Sequence, residues 1–545
     1  MSKVAHYLQE HLVGEVLTGA DARRHFATDT SIFSLPPAIV IYPRNENDVR
    51  KATRFTWQLA ERGKIIPITA RGSGTDQTGA ALGAGILMVF PAHMNKILEL
   101  DPKNGSVAVQ PGLNYGKLQQ TLHTHGRFLP AYPASMEYST IGGAIANNAS
   151  GEKSLKYGST RQFVRALRVV LANGEVIETR RISKRELNKK LGLSSMEGDI
   201  YRALDDLIEQ NKDIIEKSQK DVVNNSSGYA LADVKRKDGS FDLTPLIVGS
   251  QGTLAIVTEA VIDTDIHIPS PTLVVAEFDS IESATEAVIK LRNLASIPSA
   301  IEMVDEHLLN FVDTINPNHL KGVLEKPFSK ILLLIEFDDT NARVRKKMIK
   351  KTKKIIENNS GTFKVEEDIE KQVDYWKIRY SASAVVGYSK GEARALPIIE
   401  DGIVPVEKVG DFINMVYELF NKHKLDIATW GSLGTGNVHA MPILNVEQVG
   451  DRQKIFKIMK EYYEIVIALG GSISAQNGDG RIRAPFLVQE YGEDVYQLFE
   501  QVKSIFDPHG TMNPGVKVGV DIDGIKPLLR SEYSLSHIYD HLPRT

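Results

Sequence analysis

Three turns built from glycine, serine, threonine and alanine are the residues of this chain best suited to hold a bulky anionic ligand. Ile68-Thr-Ala-Arg71-Gly72-Ser73-Gly74-Thr75 follows the apolar run KIIPI. Thr140-Ile141-Gly142-Gly143 opens a stretch that carries no charged residue before Gly151. Ile247-Val-Gly249-Ser-Gln251-Gly252-Thr-Leu254 joins a third turn to an apolar run. Glycine lets main chain approach a ligand with no Cβ in the way, and successive free amides in such a turn form a concavity for anionic oxygens. A nucleotide cofactor is the predicted occupant. None of the turns fits G-x-G-x-x-G or G-x-x-x-x-G-K-[ST], which argues against a Rossmann NAD site or a P-loop.

Four segments in order, Arg71 to Thr75, Gln110-Pro111-Gly112-Leu113, Thr140-Ile-Gly-Gly143 with Asn148, Gly151 and Tyr157-Gly158, and Gly249 to Leu254, resemble the FAD-binding domain of the vanillyl-alcohol oxidase and p-cresol methylhydroxylase (PCMH) superfamily. The pattern is most similar to its D-lactate, glycolate and D-2-hydroxyglutarate dehydrogenase branch, and extends from about Ile39 to Val518. The resemblance implies a bound FAD. It puts Arg71, Gly72, Ser73, Gly74 and Thr75 around the pyrophosphate, Thr140, Ile141, Gly142, Gly143, Asn148 and Gly151 on the flavin side, and Gly252 with Ile256 at the adenine end. Pro111, Gly112, Pro133, Gly158 and Asn513 complete the implied contacts. Attachment is expected to be non-covalent, because Thr75 and Asp76 stand where tethering relatives carry a histidine.

The resemblance also supplies candidate chemistry in the second half. Trp376-Lys-Ile-Arg379 is similar to the family's W-x-x-R, whose arginine holds the substrate carboxylate; a guanidinium fork pairs two oxygens at once. Arg394 is a second candidate for that task. Trp430 to His439 and Gly471 to Gly480 match the segments G-H-x-G-D-G-N-x-H and G-E-H-G-I-G, in which two histidines and a glutamate bind a divalent metal and the remaining histidine is the proposed base. Only His439 remains here, with Ser432, Gln476 and Asn477 at the other positions. One imidazole and two weak donors fall short of the three or four good ligands that zinc requires, so no metal is expected. Asparagine cannot take a proton at neutral pH, which leaves His439 as the expected base, Arg379 as the anchor, and Asn437 with Asn477 to orient a hydroxyl. The implied reaction is hydride transfer to flavin N5 from a D-2-hydroxy acid, with quinone, oxygen or a protein carrier as electron acceptor. Two alternatives stay open: an FAD-binding protein without dehydrogenase activity, and an oxidoreductase acting on another alcohol or sugar.

Such residues need elements to bring them together. A chain of 545 residues exceeds what one hydrophobic core usually supports, and 42% apolar residues suffice for several. The expected class is α+β: a two-subdomain PCMH-type FAD-binding domain over 37–265, interrupted by an insertion near 181–245, then a cap with an antiparallel sheet over 266–500. Residues 1–36 are expected as a lead-in and 501–545 as a return to the first domain. Strands are predicted at Leu87–Phe90, Val107–Val109 and Leu167–Leu171. Strand-then-helix units are predicted from Thr272 and from Ile331, the second followed by a lysine-rich helix at Ala342 to Asn358. The turn Asn225 to Tyr229 is expected either to close over the cofactor or to be a plain surface loop. A net charge of −3 argues against nucleic acid as a partner. With no cysteine, disulfides and cysteine-ligated iron–sulfur clusters are excluded within this chain. No signal peptide or transmembrane run is recognisable, so a cytoplasmic location is expected, with peripheral membrane attachment and a homodimer left open. His537 and His541, one turn apart in the tail, are expected to lie on a surface helix.

Overall fold

The computed structural model describes residues 2–533 except 316, 317, 319, 386–388, 391, 392 and 400. The side chains at 2, 315, 381–385, 389, 390, 393 and 394 also lie outside the described residues, as do Arg394's proposed contact and the tail histidines.

The first subdomain is a four-stranded sheet in the spatial order Glu15–Leu17, Ile39–Tyr42, Ile86–Val89, Ile68–Arg71. The last three are parallel to one another. Both Ile39–Tyr42 and Ile86–Val89 are buried at every residue, as expected of parallel strands covered on both faces. The helix Glu46–Ala60 makes the crossover, started by the Asn45 side chain, which accepts from the amide of Asp48. The lead-in is not separate from this unit. Glu15–Leu17 pairs with Ile39–Tyr42 as an antiparallel edge strand, and Val4 and Leu8 of the first helix enter the same core.

Five antiparallel strands form the second subdomain, in the order Ile97–Asp101, Ser106–Val109, Ile256–Asp263, Val164–Val170, Val176–Arg180. The insertion supplies the helices Lys184–Leu191, Met196–Gln210 and Lys212–Lys217. Its Ile200, Tyr201 and Leu204 are fully buried, so it belongs to this core.

The cap is a nine-stranded antiparallel sheet centred on Ala300–Asp305 and Ile331–Phe337. Thr272–Phe278 and Ile331–Phe337 each lead into a helix, Ile281–Arg292 and Ala342–Asn358. The second helix buries Met348, Thr352 and Ile356, four residues apart, and turns its lysines outward. A ladder of polar contacts joins cap to FAD-binding domain: Lys153 to Glu336 at 2.7 Å, Lys156 to Asp338, and the Tyr157 hydroxyl donating to Asp338 at 2.7 Å. Near the end the chain returns to the first sheet, where the amide of Ile68 donates to Thr511 and that of Asn513 to Ile68.

Candidate active site

The three small-residue turns converge on one cleft of about 1000 Å³, measured to its open mouth. Every residue from Arg71 to Thr75 lines it, with Pro111, Pro133, Thr140, Gly142, Gly143, Gly252 and Ile256. Close approach explains the glycines. A Cβ on Gly72 would lie 2.3 Å from the Thr140 hydroxyl oxygen, and one on Gly142 would lie 2.6 Å from Cβ of Pro111. Thr140 in turn caps the helix Ile141–Asn147, its hydroxyl oxygen accepting from the amide of Gly143. The amides of Gly72, Ser73 and Thr75 have no acceptor among the described residues, which leaves donors facing a space where an anionic group fits. Gly252 has φ +72° and nothing nearer its Cβ position than Ala70 at 4.0 Å, so its open side is available to a ligand.

Arg71 takes a different part from the one expected of its side chain. The guanidinium is buried beneath its own loop, donating to the carbonyls of Thr28 (2.8 Å) and Ala81 (3.4 Å). Burial lowers its pKa to about 10, while Asp29 and Asp76 pull the other way. It braces the loop from below, and Gly74 at φ +75° is required above it because a Cβ there would meet the guanidinium at 2.3 Å.

Six other expected contacts fall outside the cleft lining. Gly112 is pressed on the carbonyls of Phe90 and Met94, Gly151 on that of Tyr132, and Gly158 on Gln162. Ile141 is buried in the core. Asn148 ends its helix at φ 51°, its side chain accepting from the amide of Arg161 and donating to Ser226. Asn513 ties the loops together, donating to the carbonyls of Ala80 and Gln251 and accepting from Thr69. These residues shape the cleft from behind. Gln251 also bridges: it donates to Asn147 and accepts from the amide of Gly480.

From the cap, Asn477 is the residue that lines the cleft among the described residues. Its position is fixed by Asp401, a buried carboxylate in the left-handed region (φ 82°) that accepts from the amides of Ala475, Gln476 and Asn477 and from the Asn437 side chain. Burial raises the Asp401 pKa, with Arg483, 3.7 Å away, and His439 opposing the shift. The sequence reading did not single out Asp401, whose role as the organiser of this corner depends on contacts distant along the chain. The turn Asn225 to Tyr229 is no surface loop: Ser226 donates to Ala475 and the amide of Gly228 to Asp479, fastening the cap loop to the FAD-binding domain.

Strand register places the remaining candidates. Trp430 lies opposite both Val304 and His439, and its ring stacks on His439 at 5.8 Å. Glu302, two residues before Val304, and Asn437, two before His439, therefore share one face of the sheet. Neither His439 nor Arg379 lines the cleft. Arg379 donates from Nε to Glu302 at 2.7 Å, with both side chains buried. Alongside, the Tyr380 hydroxyl donates to Glu152 at 2.6 Å; burial raises the Glu152 pKa, and Glu302 adds to it. Where the family's metal ligands would stand, the Gln476 side chain donates to the Ser432 hydroxyl at 3.2 Å. Among the described residues no three His, Cys, Asp or Glu side chains are grouped to hold a metal ion.

Comparison with known proteins agrees with this architecture. The FAD binding domain family matches residues 37–180, and the C-terminal domain of FAD linked oxidases matches 269–516. The D-2-hydroxyglutarate dehydrogenase of Escherichia coli (strain K12) is 31% identical, over 93% of this chain and 50% of its own length. The chain thus spans about half the length of that relative. Glycolate oxidase subunit GlcD of Bacillus subtilis (strain 168) is 29% identical, over 88% of this chain and 89% of its own. Among solved structures, p-cresol methylhydroxylase with substrate bound superposes with a TM-score of 0.69 at 13% identity, over 96% of this chain and 97% of its own, which shows the shared fold. The two models match in the same order as the two observed domains, the first within the FAD-binding half and the second across the cap, so the chain carries an FAD binding domain and the C-terminal domain of FAD linked oxidases.

Proposed function

We propose that the chain is the FAD-and-cap unit of an oxidoreductase that oxidises a carbon bearing a hydroxyl. The observation that carries this reading is the convergence of three small-residue turns, with acceptor-free amides, on one cleft that the cap reaches through Asn477. Gly72, Ser73 and Thr75 would hold the pyrophosphate through their amides, Thr140, Gly142 and Gly143 the flavin side, and Gly252 with Ile256 the adenine end. Bound non-covalently, FAD supplies a two-electron acceptor for hydride. His439, behind the cleft lining, is the residue assigned to take the hydroxyl proton on its ring. Asn477 reaches the cleft and orients the donor oxygen; Asn437 acts from behind, through Asp401.

D-2-hydroxy acids are the first donors to try, because the relatives' names specify D-2-hydroxyglutarate and glycolate. A donor without a carboxylate is favoured by one observation, the engagement of Arg379 by Glu302. Quinone, oxygen or a protein carrier receives the electrons afterwards. No described helix is long and apolar enough to cross a membrane, and peripheral attachment and a homodimer remain part of this proposal.

Anaerobic mixing of purified protein with a panel of D-2-hydroxy acids, alcohols and sugars tests the reading. Bleaching of the flavin absorbance by a member of the panel is expected. Protein that is colourless and does not take up added FAD would refute it, and persistent colour with no bleaching would favour a binding protein without dehydrogenase activity. Metal analysis should find no stoichiometric zinc or manganese, and dialysis against a chelator should leave bleaching unchanged.

A further inference from the structure

Resting on that reading, we infer that Glu302 is a specificity-determining residue: it keeps the Arg379 guanidinium neutralised at the domain seam, so that the site takes an uncharged hydroxylated donor in preference to a 2-hydroxy carboxylate. The two side chains are buried against each other, 6% and 0% exposed, at 2.7 Å. A carboxylate arriving at this guanidinium would lie beside the Glu302 carboxylate with little water between them, where like charges repel most strongly.

Among the described residues the neighbouring cations offer no substitute. Lys153 is held by Glu336 and Lys156 by Asp338, so three cations in this cluster face four carboxyl groups once Glu152 is counted. The same surroundings suit an uncharged molecule. Oε1 of Glu302 is buried with no hydrogen-bond partner among the described residues, and a buried acceptor of that kind gains from a hydroxyl donor. Beside it, Tyr380 keeps 37% of its surface exposed and stacks on Trp376 at 6.0 Å, an aromatic face for the carbon side of such a donor. Burial also holds Glu152 towards its neutral, proton-donating form.

The test uses the FAD-loaded chain with oxalate as the carboxylate probe, read by perturbation of the flavin spectrum and by the shift in melting temperature. Wild-type protein should respond little. Glu302→Gln should bind oxalate roughly tenfold to a hundredfold more tightly, the value of one charge-assisted hydrogen bond, and adding Arg379→Gln should remove the gain. Wild-type protein that binds oxalate as tightly as Glu302→Gln, or a gain that survives loss of Arg379, overturns the inference. Should Glu302→Gln fail to fold, wild type and Arg379→Gln decide the matter: oxalate binding abolished by Arg379→Gln overturns it, and absence of binding in both supports it. Failure of the FAD reading shows separately, as wild-type protein without a flavin spectrum; the melting shift then still reports on Arg379.

Discussion

His439 sits 3% exposed against the Trp430 ring, within the field of Asp401. If its imidazole takes the hydroxyl proton, His439→Ala should slow flavin reduction by about two orders of magnitude or more while FAD stays bound, read by stopped-flow absorbance; an unchanged rate removes it from that role. Beneath the first loop, Asp29 offers a test that needs no substrate. Burial, with the nearby Asp76, pushes its carboxyl up to about 7 from 3.8, and its Oδ2 has no partner among the described residues. Between those values the folded protein holds a proton that the unfolded chain has released. The stabilisation is complete below about pH 4 and is lost as pH rises through about 7. Asp29→Asn, a mimic of the protonated form, should therefore gain melting temperature over wild type most at pH 8, less at pH 5, and show little difference at or below about pH 4. A gap that does not vary with pH would disprove this.

The loop from Arg71 to Thr75 works as a unit, with a buried guanidinium below and the amides of Gly72, Ser73 and Thr75 facing the cleft. Gly74→Ala forces an alanine into the left-handed region, at a cost of about 1–2 kcal/mol, and drives its Cβ into the Arg71 guanidinium. Expected is a folded protein, slightly lower in melting temperature, that has lost most of its flavin absorbance per chain. Full FAD content would show that the loop is not the pyrophosphate cradle. The loop and its neighbours were legible in the sequence because small residues cluster for a local reason, backbone approach. The side chain of Arg71 was not legible, since nothing local says whether an arginine beside glycines faces a ligand or the protein beneath.

Across the seam, Lys153 and Glu336 form a pair 15% and 5% exposed, and Ser299 donates to the same carboxylate at 2.6 Å. Glu336→Ala leaves Lys153 buried without its partner, a loss of about 3–5 kcal/mol. Calorimetry should show the melting transition lowered and split, the cap loosening before the FAD-binding domain. One unshifted transition would show that the ladder does not couple the two. Domain order and the strand-then-helix units of the cap were readable in advance, because Leu273–Ala276 and Ile331–Ile335 are unbroken apolar runs followed by helical periodicity.

By itself the sequence determined the kind of cofactor, the α+β class, and the loss of the family's histidine and glutamate ligands, because each depends on residue types at fixed local spacing. Only the tertiary structure decided what became of the charges. Arg379 meets Glu302 across 77 positions of sequence, Asp401 collects amides more than 70 residues away, and Glu152 meets Tyr380 from the other domain. A buried charge takes whichever opposite partner the fold brings within reach, and spacing along the chain carries no record of that choice.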